Sequence, residues 1–190
     1  MNIDFIILAA GKGTRMGGDS PKVLASLAGK PMIQHLIDTV DSFPSAKTSI
    51  VVGYKSNEVE RNLVSQKKLR FVKQKNQLGT AHAVKQALTN IRKNSVAVVL
   101  YGDVPLVKKN TLNRLIKSAS TGKLSLLTFI KEDPTGYGRI IRSSKKSVQK
   151  IIEHKDASSA EKEIREVNSG VLAIKVSLLQ QFISKIKNSN

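Results

Sequence analysis

Two rhythms of apolar residues alternate along this chain. Compact apolar runs at 3–8, 48–52, 70–73, 96–100, 124–130, 139–142, 148–152 and 167–174 each predict a strand. Between them, apolar residues return at helical spacing. One such stretch covers 32–40, where Pro31 suits the first turn. The others are Ala81, Val84, Leu88 and Ile91; Leu112, Leu115, Ile116 and Ala119; and Leu178, Leu179, Phe182, Ile183 and Ile186, opened by Ser177 as a cap. Strands alternating with helices predict an α/β fold, a mainly parallel sheet flanked by helices. Around 133–156 the pattern changes to short strands and turns, which predicts an inserted β-hairpin. There is no internal repeat or low-complexity linker, so a single domain over 1–190 is expected, its Lys/Ser/Asn-rich end at 184–190 frayed.

The first apolar run leads straight into Leu8-Ala9-Ala10-Gly11-Lys12-Gly13-Thr14-Arg15-Met16, with Pro21-Lys22 just beyond. In open α/β sheets, ligands bind outside the carboxyl ends of strands. Gly11 and Gly13 let the backbone turn and approach a phosphate, and Arg15 and Lys22 bring fixed positive charge beside it. The string reads as a polyphosphate loop. It is not a dinucleotide fingerprint, because Met16 stands where a third glycine belongs. It is not a Walker A loop either, because Gly11-Lys12 lacks the upstream glycine and is followed by Gly13. A second chemical candidate is Asp103, at the end of the apolar run 96–102, where its carboxylate should emerge beside the glycine loop. Magnesium takes few carboxylates and completes its shell with waters and substrate phosphates, so one such Asp suffices.

These strings resemble the start of sugar-phosphate nucleotidyltransferases. The likeness is greatest to the uridyltransferase domain of bifunctional N-acetylglucosamine-1-phosphate uridyltransferase/glucosamine-1-phosphate acetyltransferases. Further matches are Gln74, Gln77-Leu78-Gly79-Thr80-Ala81-His82-Ala83, Tyr101-Gly102-Asp103-Val104-Pro105-Leu106, Asp133-Pro134-Thr135-Gly136-Tyr137-Gly138-Arg139-Ile140, Ile152-Glu153-His154-Lys155-Asp156 and Val167-Asn168-Ser169-Gly170. They stand in the family's order from Ile3 to about Lys175. The resemblance implies a Rossmann-like, GT-A-like nucleotidyltransferase fold. It also implies transfer of UMP from UTP to N-acetylglucosamine 1-phosphate, giving UDP-N-acetylglucosamine for peptidoglycan and lipopolysaccharide precursors.

The resemblance also assigns roles. Arg15 and Lys22 are the expected catalytic cations, and Asp103 the expected magnesium ligand. Leu8, Ala9, Ala10, Gly11 and Lys22 form the nucleotide loop; Gln74, Gly79 and Thr80 face the uracil; Gly102 and Asp103 also bind substrate; and Tyr101, Gly138, Glu153 and Asn168 complete the pocket toward the sugar. Gly79-Thr80 also reads as the N-cap of the following helix. Lys12 has a plainer reading as a solvent-facing loop lysine. His35, His82 and His154 are expected to be structural, since none has a second His at metal-site spacing. The attacking sugar phosphate is already ionised, which accounts for the lack of any Ser/His/Asp set.

Composition narrows the alternatives. Forty per cent hydrophobic residues suit a globular core, and zero cysteines exclude disulfides, cysteine zinc sites and a thiol nucleophile. The N-terminus has no basic region ahead of its apolar run, and no run is long enough to span a membrane, so a cytoplasmic location and no membrane partner are expected. The net charge of +18 raises the question of nucleic acid. The lysines are spread in pairs at most and aromatics are only 4%, which fits a solvated basic surface and no specific nucleic-acid partner. A noncatalytic module with polyanion affinity is the competing reading, and a sister nucleotidyltransferase with another base or sugar is a third. The resemblance also implies a later segment like N-x-x-G-E-Y-Y, carrying a second Asn to the metal, and a hexapeptide-repeat acetyltransferase domain through which family members mainly oligomerise. Neither has a counterpart in these 190 residues, so the nucleotidyltransferase domain is expected to be incomplete at its carboxyl end.

Overall fold

A computed structural model of the chain describes residues 1–11 and 20–186. Its contacts divide it into two compact units, 1–125 with 172–190, and 126–171. The hairpin expected at 133–156 falls within the second. The element order is β1 (Asn2–Ala9), β2 (Ser26–Leu27), β3 (Lys30–Pro31), α1 (Met32–Asp41), β4 (Ala46–Val52), α2 (Ser56–Arg61), β5 (Leu69–Lys73), α3 (Thr80–Ala87), β6 (Ser95–Tyr101), α4 (Lys109–Ser120), β7 (Ser125–Ile130), β8 (Arg139–Arg142), β9 (Val148–Ile152), α5 (Ser159–Lys162), β10 (Glu166–Lys175) and α6 (Val176–Ile183).

In the first unit the strands lie in the order β5-β4-β1-β6, followed by the last part of β10. β1 is parallel to β4 and β6, and β4 is parallel to β5; only β10 runs antiparallel, with Leu172 opposite Val99. Both faces of this sheet are buried, which is why its strands read as continuous apolar runs. Ile6, Val51, Ala97 and Val99 pack beneath Ala83, Val84 and Ala87 of α3 and Val176 and Ile183 of α6. Their neighbours along each strand point the other way. There Phe5 meets Phe43 edge to face at 5.2 Å, and α1 and α4 bury Ile33, Leu36, Ile37, Leu112 and Ile116. The fold is thus a Rossmann-like mainly parallel sheet flanked by helices.

In the second unit, β8 and β9 form the expected antiparallel hairpin, β10 pairs β8 at Val167 opposite Arg139, and β7 also pairs β10. Arg139 is fully buried; its guanidinium donates to the carbonyls of Lys162 and Tyr137 and to Nδ1 of His154. α5 is closed by a capping box in which Ser158 and Glu161 each accept the other's backbone N–H. Glu166 accepts from Arg142 and from Thr128, and the Arg142 guanidinium holds its carboxyl below the ordinary glutamate range. A carboxylate with a depressed folded value stabilises fully above its unfolded value, and that contribution is lost as pH falls through the folded one. Glu166→Gln is therefore expected to lower stability at neutral pH and to flatten the decline below about pH 4, where an ordinary glutamate protonates. Urea melts from pH 7 to pH 3 read this; parallel curves for the two proteins would remove Glu166 from the account.

Several local expectations change. Ser177 does not cap α6: the helix begins at Val176 after Lys175 in an extended conformation, without any side-chain cap bond. Pro31 sits at the N-cap position, one residue ahead of the first turn. The helix expected to reach Ile91 ends at Ala87 and passes through a 3-10 turn, Leu88–Asn90, so Ile91 is buried from an extended backbone. β2, β3, α2 and α5 are too short to show a period; α2 buries Val59 alone. Residues 187–190 of the tail lie outside the described residues. No helix among the described residues is long and apolar enough to cross a membrane.

Candidate active site

Four parallel strands deliver their carboxyl ends to one edge of the first unit's sheet. Chain order reverses there, since β4 and β5 lie on one side of β1 and β6 on the other. That is where α/β sheets hold ligands. A pocket of about 430 Å³ opens at this edge, lined by residues at and just beyond the strand ends. Leu8 and Ala9 end β1, and Ala10 and Gly11 follow it; Gln74 and Gln77 follow β5; Tyr101 ends β6, and Asp103 lies just past it; Gly79, Thr80 and Ala83 open α3; and Lys22 and Val23 come from a 3-10 turn, Lys22–Leu24.

The ends of two strands are locked together beneath the pocket. Gly102 donates its N–H to the Leu8 carbonyl at 2.9 Å. A Cβ on Gly102 would stand 2.9 Å from Val23 Cγ1 and 3.2 Å from that carbonyl, so Gly102 serves by close packing and is not among the lining residues. From the neighbouring strand, Gly53 lies so close to Ala10 that a Cβ would sit 2.8 Å from its carbonyl oxygen and 2.8 Å from Gln77 Nε2.

The charged groups meet across the rim. Lys22 Nζ donates to Asp103 Oδ2 at 2.7 Å, both side chains about a third exposed. An exposed pair of this kind contributes at most about 1 kcal/mol to stability, so its significance is chemical. Asp103 Oδ1 has no hydrogen-bond partner among the described residues. One partly exposed carboxylate at the pocket rim fits magnesium held chiefly by waters and ligand phosphates. A protein-only metal cage does not fit, because the described residues contain no group of three or more His, Asp or Glu placed to hold a metal.

α3 points its amino end at the same pocket. Gly79 occupies the N-cap position with φ 90°, a region other residues enter at a cost, and no side chain caps the helix. Its first-turn N–H groups therefore remain for polar ligand atoms. Thr80 Oγ1 lies 3.5 Å from the Tyr101 hydroxyl. Gln74 is 4% exposed, and its Nε2 donates to the Gly79 carbonyl at 3.2 Å and lies 2.9 Å from His82 Nδ1.

Of the expected site residues, the structure therefore gathers Leu8, Ala9, Ala10, Gly11, Lys22, Gln74, Gly79, Thr80, Tyr101 and Asp103 around one pocket. Gly138, Glu153 and Asn168 come together within the second unit. Asn168 donates its N–H to the Gly138 carbonyl at 2.9 Å, and a Cβ on Gly138 would lie 3.3 Å from Glu153 Oε1. Asn168 Oδ1 accepts from the Gly170 N–H at 3.0 Å, leaving its amide NH2 as a donor. Arg15 and Lys12 lie outside the described residues. Gln77, Val23 and Ala83 also line the pocket, although the sequence reading assigns them no role; Gln77 and Ala83 bound the family-like segment 77–83, and the spacing of Gln77 from Gln74 is the available signal. Two of the histidines make contacts away from the pocket: His35 Nε2 lies 2.7 Å from the Leu27 carbonyl, and His154 receives Arg139.

Residues 5–166 match the family model described as the MobA-like NTP transferase domain. The chain is 47% identical over 189 residues to the "Bifunctional protein GlmU" of Ruthia magnifica subsp. Calyptogena magnifica, covering 100% of this chain and 41% of that protein. It is 43% identical over 188 residues to the protein of the same name from Cellvibrio japonicus (strain Ueda107), covering 99% and 41%. The chain thus spans about two fifths of the length of these relatives. Among solved structures it resembles a UDP-glucose pyrophosphorylase complexed with UDP-glucose, at TM-score 0.77 and 18% identity over 98% of this chain and 81% of that one, a likeness of fold.

Proposed function

The chain belongs to the MobA-like NTP transferase domain family, and from that premise we propose that it transfers UMP from UTP to N-acetylglucosamine 1-phosphate, releasing pyrophosphate. The observation that carries the reading is the convergence of Lys22, Asp103, Ala10, Gly11 and buried Gln74 on one pocket at the carboxyl edge of a parallel sheet. The uridine and N-acetylglucosamine assignments are supported by the motifs resembling uridyltransferases and by relatives at 43–47% identity.

In this reaction an oxygen of the sugar phosphate attacks the α-phosphorus of UTP. The bond from that phosphorus to the bridging oxygen breaks, and its electrons leave with pyrophosphate. The nucleophile is ionised at neutral pH, so the protein's task is to position the two phosphates and neutralise charge. The glycine loop admits the triphosphate close to its backbone. Lys22 Nζ, at the rim, exchanges Asp103 for phosphate oxygens as charge builds. Asp103 is the residue that would hold magnesium, which when bound screens the phosphates from one another. Gln74 faces the uracil with its amide, and Gly138, Glu153 and Asn168 offer a carboxylate, an amide and backbone groups suited to sugar hydroxyls. The product is a UDP-sugar for cell-envelope precursors.

Product formation with each of the four nucleoside triphosphates, together with calorimetry of UTP and UDP-N-acetylglucosamine, tests this. A preference for TTP or GTP moves the protein to a sister branch. Absence of any nucleotide binding, with RNA or heparin binding that collapses as salt rises, leaves a basic polyanion-binding module in its place. Within the reading, Gln74→Ala is expected to reduce the preference for UTP over CTP by about tenfold, the loss of one base-directed hydrogen bond, with little change in affinity for pyrophosphate. Competition binding of the two nucleotides measures it.

A further inference from the structure

Gln74 reaches the pocket at the end of a short chain of side-chain amides and an imidazole on α3, and that chain decides which end of its amide faces the ligand. The Gly79 carbonyl can only accept, so the Gln74 atom 3.2 Å from it is the NH2. The same NH2 lies 2.9 Å from His82 Nδ1, which makes Nδ1 the acceptor of a neutral imidazole. The ring proton then sits on Nε2, 3.0 Å from Gln86 Nε2, and the Gln86 amide turned end for end presents its oxygen there to accept it. Both donor hydrogens of the Gln74 amide are thereby engaged. Its Oε1 has no partner among the described residues, and it is the end of the amide that remains for the pocket that Gln74 lines.

We propose that His82 is a positioning residue that fixes the Gln74 amide with its oxygen toward the pocket and so selects a base carrying an imide N–H. The proposal rests on the nucleotide reading of this pocket. An oxygen held there accepts from N3–H of uracil. Cytosine presents a lone pair at its N3 and meets the oxygen with repulsion. With the brace removed, the amide is free to turn its NH2 outward and donate to cytosine N3, and the discrimination falls. His82 touches no ligand in this scheme; it acts through Gln74.

The test is calorimetric binding of UTP and CTP to the full chain, with thermal melting of each variant. His82→Leu removes the acceptor and is expected to reduce the UTP-to-CTP affinity ratio by about tenfold, chiefly by admitting CTP. His82→Asn keeps an acceptor oxygen near the Nδ1 position and is expected to restore most of the ratio, which a purely structural role for His82 does not predict. Gln86→Leu frees the far side of the imidazole without touching the pocket and should lower the ratio by less; it carries the test where His82→Leu does not fold. An unchanged ratio in folded His82→Leu, or failing that in Gln86→Leu, overturns the proposal. A wild-type chain that binds neither nucleotide overturns the reading beneath it as well, and that outcome is distinguishable because it appears before any substitution is made.

Discussion

Asp103→Asn is expected to reduce turnover by about a thousandfold or more, the scale on which a dedicated charge at a phosphoryl-transfer centre acts. The substitution keeps the shape of the side chain but removes the charge that faces Lys22 at 2.7 Å and that would hold magnesium. Binding of the uridine part should change little, since Gln74, Gly79 and Thr80 lie on other elements of the pocket. Lys22→Ala should lower turnover by a similar order through loss of phosphate neutralisation. The double variant should be far less than additive, because the two groups serve the same phosphates. Pyrophosphate release across a magnesium titration separates the roles: Asp103→Asn loses the stimulation by magnesium, whereas Lys22→Ala keeps it at a lower ceiling. Full magnesium-stimulated turnover in Asp103→Asn would falsify the assignment.

The second large effect is expected at a residue with no chemistry of its own. Gly53→Ala adds one carbon, and that carbon would lie 2.8 Å from the Ala10 carbonyl. A flexible side chain could move aside; the Ala10 backbone, which lines the pocket, moves only by reshaping it. Overpacking of this kind costs about 1–3 kcal/mol. Nucleotide affinity should fall with it, because Ala10 and Gly11 both line the site. Denaturant melts and calorimetry on the one variant measure the two losses. Gly11→Ala is the control for the stability loss alone, since a Cβ there meets nothing within 4 Å. Equal stability of the two variants would show that the Ala10 contact relaxes without cost.

The sheet was legible because strands buried on both faces leave unbroken apolar runs, as in Phe5-Ile6-Ile7 and Val96-Ala97-Val98-Val99-Leu100. Of the string at the end of β1, Leu8, Ala9, Ala10 and Gly11 line the pocket, and 12–19 lie outside the described residues. Pairing was not legible. Lys22 and Asp103 are separated by 81 residues, and no spacing rule connects them. Gly53 gave no signal, since its constraint is imposed by the backbone of another strand. The brace on Gln74 was hidden for a related reason: a strand-end glutamine and a helical histidine meet only after the turn at Gly79 folds the chain back. Ser177 misled because a Ser near an apolar period is a frequent cap, whereas here the buried Val176 already belongs to the helix.

The pocket is assembled from four stretches of chain, 8–11, 22–23, 74–83 and 101–103, that become neighbours only when β1, β4, β5 and β6 have all paired. No single stretch carries a binding surface that survives by itself. Ligand occupancy is therefore linked to the cooperative unfolding of the whole first unit. At a hundred times its dissociation constant, any nucleotide bound here would raise that unit's stability by about 2.7 kcal/mol. Amide exchange slowed by nucleotide should accordingly extend to strand centres such as Val51 and Val98, far beyond the residues the ligand touches.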